Sequence, residues 1–338
     1  MKSKDHGESQ DSNRLHTALP ISGSFFESLK KCVLPVEEAW SLPPKCYTDV
    51  AVQELELSNL FRGHWICLGR ADQLAAKGDY TCVDFADFSI ILLRDNDLTL
   101  RAFANSCRHR GARLLDGSGK ISGIRCPFHS WAYKLNGSLA GAPHMDAATG
   151  FCKSDFSLMS YRVEQALGFL FICLSPDAPA LEATLGDFND IHAPWPIETL
   201  VSTRQQQFEV DCNWKLFIEV FNEYYHLPFV HPDSIDSVYQ TPEASDPVQG
   251  AFTSQFGGTD GTGGLLQNTQ QKSLPKIPGL SGKEDSGVRY TWAFPNMTFA
   301  IGVDAMWVYH AFPLAPDRCL VYQTACFPPE TIATEGFD

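Results

Sequence analysis

The sequence predicts an α+β protein in two parts, an all-β domain followed by one in which an antiparallel sheet packs against helices. Three observations carry that expectation. From about residue 58 the chain breaks into short alternating runs separated by turn residues. Residues 214–225 have apolar side chains recurring at three and four, the helical period. From Val288 onward strict alternation returns. At 338 residues the chain is long enough for two domains with their own cores.

Residues 1–20 are polar, mixed in charge and without the apolar run of a secretion signal, so a disordered lead-in is expected. Residues 21–57, punctuated by Pro35, Pro43 and Pro44, read as an N-terminal arm packing on the second domain. Residues 58–175 form the first domain. Residues 89–94 and 98–103 are strands joined by a turn at Asp95-Asn96-Asp97, and residues 168–174 are a closing strand ended by Ser175-Pro176-Asp177. Residues 176–338 form the second domain. Its helix carries Trp214, Phe217, Ile218, Phe221 and Tyr225 on one face. Residues 250–286 are rich in Gly, Ser, Thr and Gln and read as a long loop. Gly257, Gly258, Gly261, Gly263 and Gly264 lack the Lys-Ser/Thr of a phosphate loop, which excludes that reading. Val288, Tyr290, Trp292 and Phe294 then fall on one side of a strand, and Arg289, Thr291 and Ala293 on the other. Two more strands are expected near 305–311 and 318–326, with Asp317 in a turn.

A net charge of −14 argues against nucleic acid as a partner. No apolar stretch approaches the length that spans a bilayer. Eleven cysteines without a secretion signal fit a reducing, cytoplasmic setting. Two of them belong to the motif below; the other nine, such as Cys67, Cys82 and Cys173, read as buried thiols.

The most informative segments are Cys107-Arg108-His109 and Cys126-Pro127-Phe128-His129, a C-x-H and a C-x-x-H separated by sixteen residues. Each supplies one thiolate and one imidazole. That set suits a [2Fe-2S] cluster of the Rieske type, in which Cys107 and Cys126 hold one iron while His109 and His129 hold the other. Structural zinc is the alternative, although zinc fingers pair Cys with Cys and His with His. The second informative run is residues 222–231, which contains Glu223, His226, Pro228 and His231. Two histidines five apart point about 140° apart on an unbroken helix and cannot share an ion. Pro228 is expected to end the helix and let His231 swing toward His226. Such a pair, completed by one carboxylate, is a site for mononuclear Fe²⁺ with positions open to O₂. Glu223, three residues before His226, can accept the ring N–H that the metal leaves unused.

The motif segments and their flanks resemble the Rieske non-haem iron oxygenases, as their terminal oxygenase (alpha) subunit. The helix Glu219-Val220-Phe221-Asn222-Glu223-Tyr224-Tyr225-His226 resembles the E-N-Y-x-E-x-Y-H of the carnitine, glycine-betaine and stachydrine monooxygenase-demethylase branch. Phe294-Pro295-Asn296 and Phe327-Pro328-Pro329-Glu330 also look like that branch. Val220 stands where the branch has Asn, and Ser130 where the family has Gly. The resemblance covers residues 45–338. It implies a helix-grip-like catalytic domain and Glu223 as the acid bridging the iron site to a cluster histidine of a neighbouring subunit in a homotrimer. It also implies O₂ and a small organic substrate, hydroxylated or oxidatively N-demethylated. The chain has no dinucleotide fingerprint, so electrons from NAD(P)H are expected through a separate reductase.

The family's third iron ligand is an Asp on a C-terminal helix that follows the segment matching 327–330. No helix is expected after that segment here, and Asp304, Asp317 and Asp338 sit in no context that marks a ligand. The expectation is a chain shortened at its C-terminus, with a weak iron site and apolar sheet surface uncovered. A quaternary ammonium or betaine substrate could be caged by Trp292, Phe294, Phe299, Trp307 and Tyr309; an aromatic stripe on strands is otherwise core. An aromatic-ring dioxygenase, or an electron-transfer paralogue lacking the third ligand, remain the alternatives.

Overall fold

The computed structural model describes residues 21–233, 239–259 and 273–337. The expected lead-in, Gly261, Gly263, Gly264 and Asp338 lie outside them.

The first domain contains β1 (Trp65–Arg70), β2 (Asp79–Phe85), β3 (Phe88–Arg94), β4 (Leu100–Ala104), β5 (Ser118–Lys120), β6 (Ile124–Arg125), β7 (Ala132–Tyr133), β8 (Leu139–Gly141), β9 (Ser160–Ala166) and β10 (Phe169–Cys173). They form a seven-stranded sheet in the order β1-β10-β9-β4-β3-β2-β5, and a three-stranded sheet β6-β7-β8 beside it. The turn between β3 and β4 is closed by Asp95, whose carboxylate accepts from the amides of Asp97 and Thr99, both at 2.9 Å. An Asx side chain that bonds its own backbone in this way is the reason such residues favour turns.

The second domain contains β11 (Val201–Val210), β12 (Phe252–Gly258), β13 (Gly287–Ala293), β14 (Met297–Ile301), β15 (Met306–Ala315) and β16 (Arg318–Phe327), paired antiparallel in the order β11-β16-β15-β14-β13-β12. Strand β12 corrects the long loop expected over 250–286. Its glycines mark close approach, not a loop: a Cβ on Gly258 would lie 2.8 Å from the Gln240 side chain, and one on Gly257 3.3 Å from the Gln240 carbonyl. Glycine there masks an alternating pattern that Phe252, Ser254 and Phe256 otherwise carry.

Among the described residues eight short α-helices complete the fold: α1 (Gly23–Leu29), α2 (Lys45–Thr48) and α3 (Val50–Glu56) in the arm, α4 (Leu181–Leu185) and α5 (Phe188–His192) after the first domain, then α6 (Trp214–Val220), α7 (Leu227–Val230) and α8 (Pro329–Ile332). Helix α6 is shorter than the periodicity suggested. Residues 222–226 are turns, so Tyr225 points into solvent instead of continuing the apolar face. Pro228 does not end a helix; it sits in the first turn of α7, where a missing N–H costs nothing. Helix α8 begins inside the 327–330 segment, at Pro329, and Ile332 and Phe337 cover the sheet end at Ala325 and Phe327.

The two domains share their cores. Ile66, Leu92 and Ile172 of the first pack with Trp214, Ile218, Phe312 and Val321 of the second. Asn296 joins them directly. Its side chain accepts from the Cys67 amide at 3.0 Å and donates to the Cys67 carbonyl at 2.9 Å, at the bulge between Cys67 and Gly69. This is the structural work of the Phe294-Pro295-Asn296 segment. Of the nine cysteines read as buried thiols, Cys152 is exposed and Cys32, Cys82 and Cys212 are half-buried. Apolar neighbours in sequence do not tell which face of an element turns inward.

Candidate metal centres

The Cys107 and Cys126 loops are built alike. In the first, the Cys107 amide donates to the Ala112 carbonyl at 2.8 Å and the Gly111 amide to the Cys107 carbonyl at 2.8 Å. In the second, the Cys126 amide donates to Trp131 at 2.8 Å and the Ser130 amide to Cys126 at 3.1 Å. Each loop closes through a residue at positive φ, Gly111 at 73° and Ser130 at 58°. Left-handed backbone favours glycine. Ser130 therefore adopts the conformation that Gly serves in the companion loop.

The two loops bring the histidines together and set both cysteines in one apolar cluster. Cys107 and Cys126 are buried at 3% and 2% exposure among Ile91, Leu114, Trp131 and Leu135. His109 is half-buried and His129 exposed, with ring centres 4.8 Å apart. Trp131 stacks on His109 at 4.9 Å and is backed by Phe151 and Phe156, which shields one side. Burial, then the neighbouring His129 and Arg110 charges, hold His109 below its ordinary pKa, favouring the neutral, metal-binding form. The Tyr133 hydroxyl lies 3.3 Å from Cys107 Sγ and accepts from the Arg108 amide at 3.1 Å. Burial, first, keeps that phenol protonated well above its usual range.

The donor set fits a [2Fe-2S] cluster. An imidazole nitrogen sits about 2.1 Å from a metal, which puts the ring centre ~3.2 Å away. Rings with centres 4.8 Å apart are close enough for both to hold one iron. Among the described residues no three His, Cys, Asp or Glu converge on one ion. A two-plus-two cluster and a bare histidine pair are both consistent with that.

The second site grows from the end of α6. Asn222 donates to the Ile218 carbonyl at 2.7 Å and reaches Thr298 Oγ1 of β14 at 3.5 Å, while its own carbonyl accepts from Gln255 of β12 at 3.1 Å. These bonds pin the turn that follows. Glu223 then meets His226 twice: one carboxylate oxygen accepts from the His226 amide at 3.1 Å and the other pairs with Nδ1. Nδ1 is thus engaged and Nε2 is the nitrogen left to a metal. His226 precedes α7 and His231 ends it, and one short helix brings their rings to 5.6 Å. By the same reckoning that spacing would let both rings hold one ion.

The five residues expected to form an aromatic cage do not share a surface. Trp292 and Tyr309 lie on the sheet face that meets α6, with Trp307 on the same strand face. Phe221 packs on Tyr309 at 4.3 Å. Phe299 alternates to the opposite face and is buried among Phe169, Phe188 and His192. Phe294 lies beyond β13 against Trp292 and His64. Residues not anticipated from sequence meet Tyr224, two residues before His226. Tyr290 lies 6.3 Å from Tyr239, whose carbonyl accepts from the Tyr224 hydroxyl at 3.2 Å. Tyr239 sits in no regular element, and nothing in its local sequence signals this meeting.

The family profile of the Rieske [2Fe-2S] domain matches residues 64–162, and that of the ring-hydroxylating alpha subunit catalytic domain matches 197–338. The carnitine monooxygenase oxygenase subunit of Acinetobacter baumannii is 32% identical over 91% of this chain and 81% of its own. The glycine betaine monooxygenase oxygenase subunit of Chromohalobacter salexigens is 35% identical over 61% of this chain and 46% of its own. A solved quaternary ammonium Rieske monooxygenase, described for carnitine oxidation and inter-subunit electron transfer, superposes with a TM-score of 0.73 at 29% identity, covering 86% of this chain and 76% of its own.

Proposed function

We propose a function from one premise: the chain belongs to the Rieske ring-hydroxylating oxygenases, as their alpha, or terminal oxygenase, subunit. Such a subunit works with a separate reductase, O₂ and a small substrate. Here we assign Cys107, Cys126, His109 and His129 to the cluster, and His226 and His231 to the mononuclear iron, with Glu223 as the bridging acid. When bound, the cluster supplies one-electron carriage and the ferrous ion supplies O₂ activation. Glu223 holds the proton of His226 at Nδ1 and so directs Nε2 to the metal. Trp131 and the buried surroundings of both cysteines exclude water from the thiolates. The observation that carries the reading is the Glu223–His226 pair on the same chain as the twin Cys/His loops.

The substrate we propose is a quaternary ammonium compound of the carnitine and betaine kind. The named relatives act on such compounds, and Tyr224, Tyr239, Tyr290 and the nearby Asp304 put π faces and a carboxylate beside the histidine turn. Hydroxylating a carbon bonded to nitrogen gives a carbinolamine that collapses. An N-methyl carbon yields formaldehyde and the demethylated amine; a backbone carbon yields an aldehyde and trimethylamine.

We also propose a homotrimer in the cytoplasm. Phe128 beside His129 is 62% exposed, and Tyr225, Phe229 and Val230 beside Glu223 are 84%, 76% and 63% exposed. Apolar side chains at both electron-transfer ends suit a contact between copies. Among the described residues no helix is long and apolar enough to cross a membrane.

The test is O₂ consumption with a reductase and carnitine, glycine betaine or an aromatic acid, with both product sets assayed. Turnover of a quaternary ammonium is expected. In the His226→Ala variant turnover should vanish and one iron should be lost while the cluster spectrum persists. Wild-type turnover in that variant would sink the site assignment, and turnover of the aromatic acid alone would sink the substrate class.

A further inference from the structure

The arm of residues 21–57 has no part in the chemistry above, yet it grips the helix that leads into the Glu223–His226 turn. We infer that Tyr47 of the arm is a positioning residue for that turn, acting through Glu219 of α6; this rests on the assignment of Glu223 and His226 to the iron site.

Three sets of bonds tie the arm to α6. At its N-terminus the Asn213 side chain caps the Lys215 amide at 3.1 Å and donates to the Tyr47 carbonyl at 3.2 Å and the Pro316 carbonyl at 2.7 Å. In the first turn the Lys215 ammonium meets the Glu56 carboxylate at 2.8 Å, and Trp214 Nε1 donates to the same carboxylate at 3.0 Å. One turn later the Tyr47 hydroxyl reaches both oxygens of Glu219, at 3.1 and 3.0 Å. Burial raises the Glu219 carboxyl above its ordinary pKa, opposed by the Tyr47 hydrogen bond and the Lys215 charge.

Glu219 lies four residues before Glu223. A seven-residue helix is too short to hold its own axis, so its direction is set by what it packs against. On one side are Tyr309 and the sheet, touched by Phe217 and Phe221. On the other is the arm. The Tyr47–Glu219 bond is the arm contact nearest the C-terminal end of α6, where the Asn222 carbonyl and the Glu223 carboxylate emerge. Without it the helix end is held from the sheet side alone, through Thr298 and Gln255. A small displacement there moves Glu223 against His226, and misplacement by about 1 Å can cost on the order of 100-fold in rate.

The experiment uses the full chain and reads Tyr47→Phe, Glu219→Gln and Glu219→Leu by turnover with reductase and by hydrogen exchange of the metal-free protein. Tyr47→Phe and Glu219→Leu should lower kcat about tenfold with KM little changed. Amide exchange should quicken over residues 219–226 and stay unchanged in the first domain. Glu219→Gln, whose amide oxygen still accepts from Tyr47, should retain most of the rate. Wild-type kcat and exchange in Tyr47→Phe would overturn the inference. So would faster exchange throughout the chain with a lowered melting temperature, the mark of a merely structural residue. Wild-type turnover in Glu223→Gln would instead sink the site assignment, and the exchange over 219–226 would still report on the clamp.

Discussion

The Tyr133 hydroxyl is the one described hydroxyl bonded to a sulfur that we propose as a cluster ligand, and replacing it by Phe should lower the potential of the cluster. The group lies 3.3 Å from Cys107 Sγ, and Tyr133 is 2% exposed. Once Cys107 is a thiolate, the phenol can only donate. Hydrogen bonds to charged groups are worth about 1.5–3 kcal/mol. The electron senses only how much that bond strengthens as the cluster gains negative charge, which we put at about 1 kcal/mol of the total. A tenfold change in a one-electron equilibrium is about 59 mV and about 1.4 kcal/mol, so the shift is on the order of 40 mV downward. Phe keeps the ring, so the pocket around Cys107 stays packed; the Arg108 amide, which donates to the same hydroxyl, loses that acceptor as well. Spectroelectrochemical titration of purified wild type and Tyr133→Phe reads the shift directly. A potential unchanged within about 10 mV, or one that rises, would refute the claim that this bond acts on the cluster.

The remaining predictions concern stability. Ser130→Gly should stabilise the protein by about 1 kcal/mol, because φ of 58° strains every residue but glycine; a melting temperature that falls would show that the serine is held by something else. Burial pushes His310 down to about 3 and His192 down to about 4, so both are neutral when folded and bind a proton near 6.5 when unfolded. The unfolded state then takes up more protons, and stability present above pH 6.5 should be lost as pH falls from there toward 4 and 3. The slope is about 1.4 kcal/mol per pH unit for each histidine at most. Melting curves between pH 7 and 5 measure it, and His310→Met should reduce the slope by one histidine's share; an equal slope in that variant would refute the assignment.

Much of the candidate site was legible because its chemistry lies in residue type and short spacing. Cys107, His109, Cys126 and His129 announce a mixed thiolate–imidazole set before any coordinates are known, since few other uses put a thiol and an imidazole two or three residues apart twice. Ser130 was visible as a departure, but its meaning was not. Only the closed loop, with Gly111 in the matching place, explains why glycine is preferred there. The Glu223–His226 spacing likewise pointed to a contact, although the backbone that delivers it is a turn and not a helix. Helical periodicity in 214–225 came from residues that pack on a sheet for seven positions and then stop, and local pattern cannot register where the partner surface ends.

What the sequence by itself determined was therefore local: the ligand types, the strand alternation of β3, β4, β13 and β16, and the expectation of an all-β domain followed by a sheet-and-helix domain. What only the tertiary structure decided was every relation between distant segments. Strand β12 was hidden because its Gly257 and Gly258 are required by the close approach of Gln240, seventeen and eighteen residues earlier in the chain. The expected cage came apart because Phe299 alternates to the far face while Trp292, Trp307 and Tyr309 do not. Asn296 found its use in the backbone of Cys67, 229 residues away, and Tyr47 in Glu219, 172 residues away. Spacing along a chain fixes which face a residue takes within one element. Which face meets which is set by burying apolar area and satisfying polar groups over the whole molecule, and no local window contains that information.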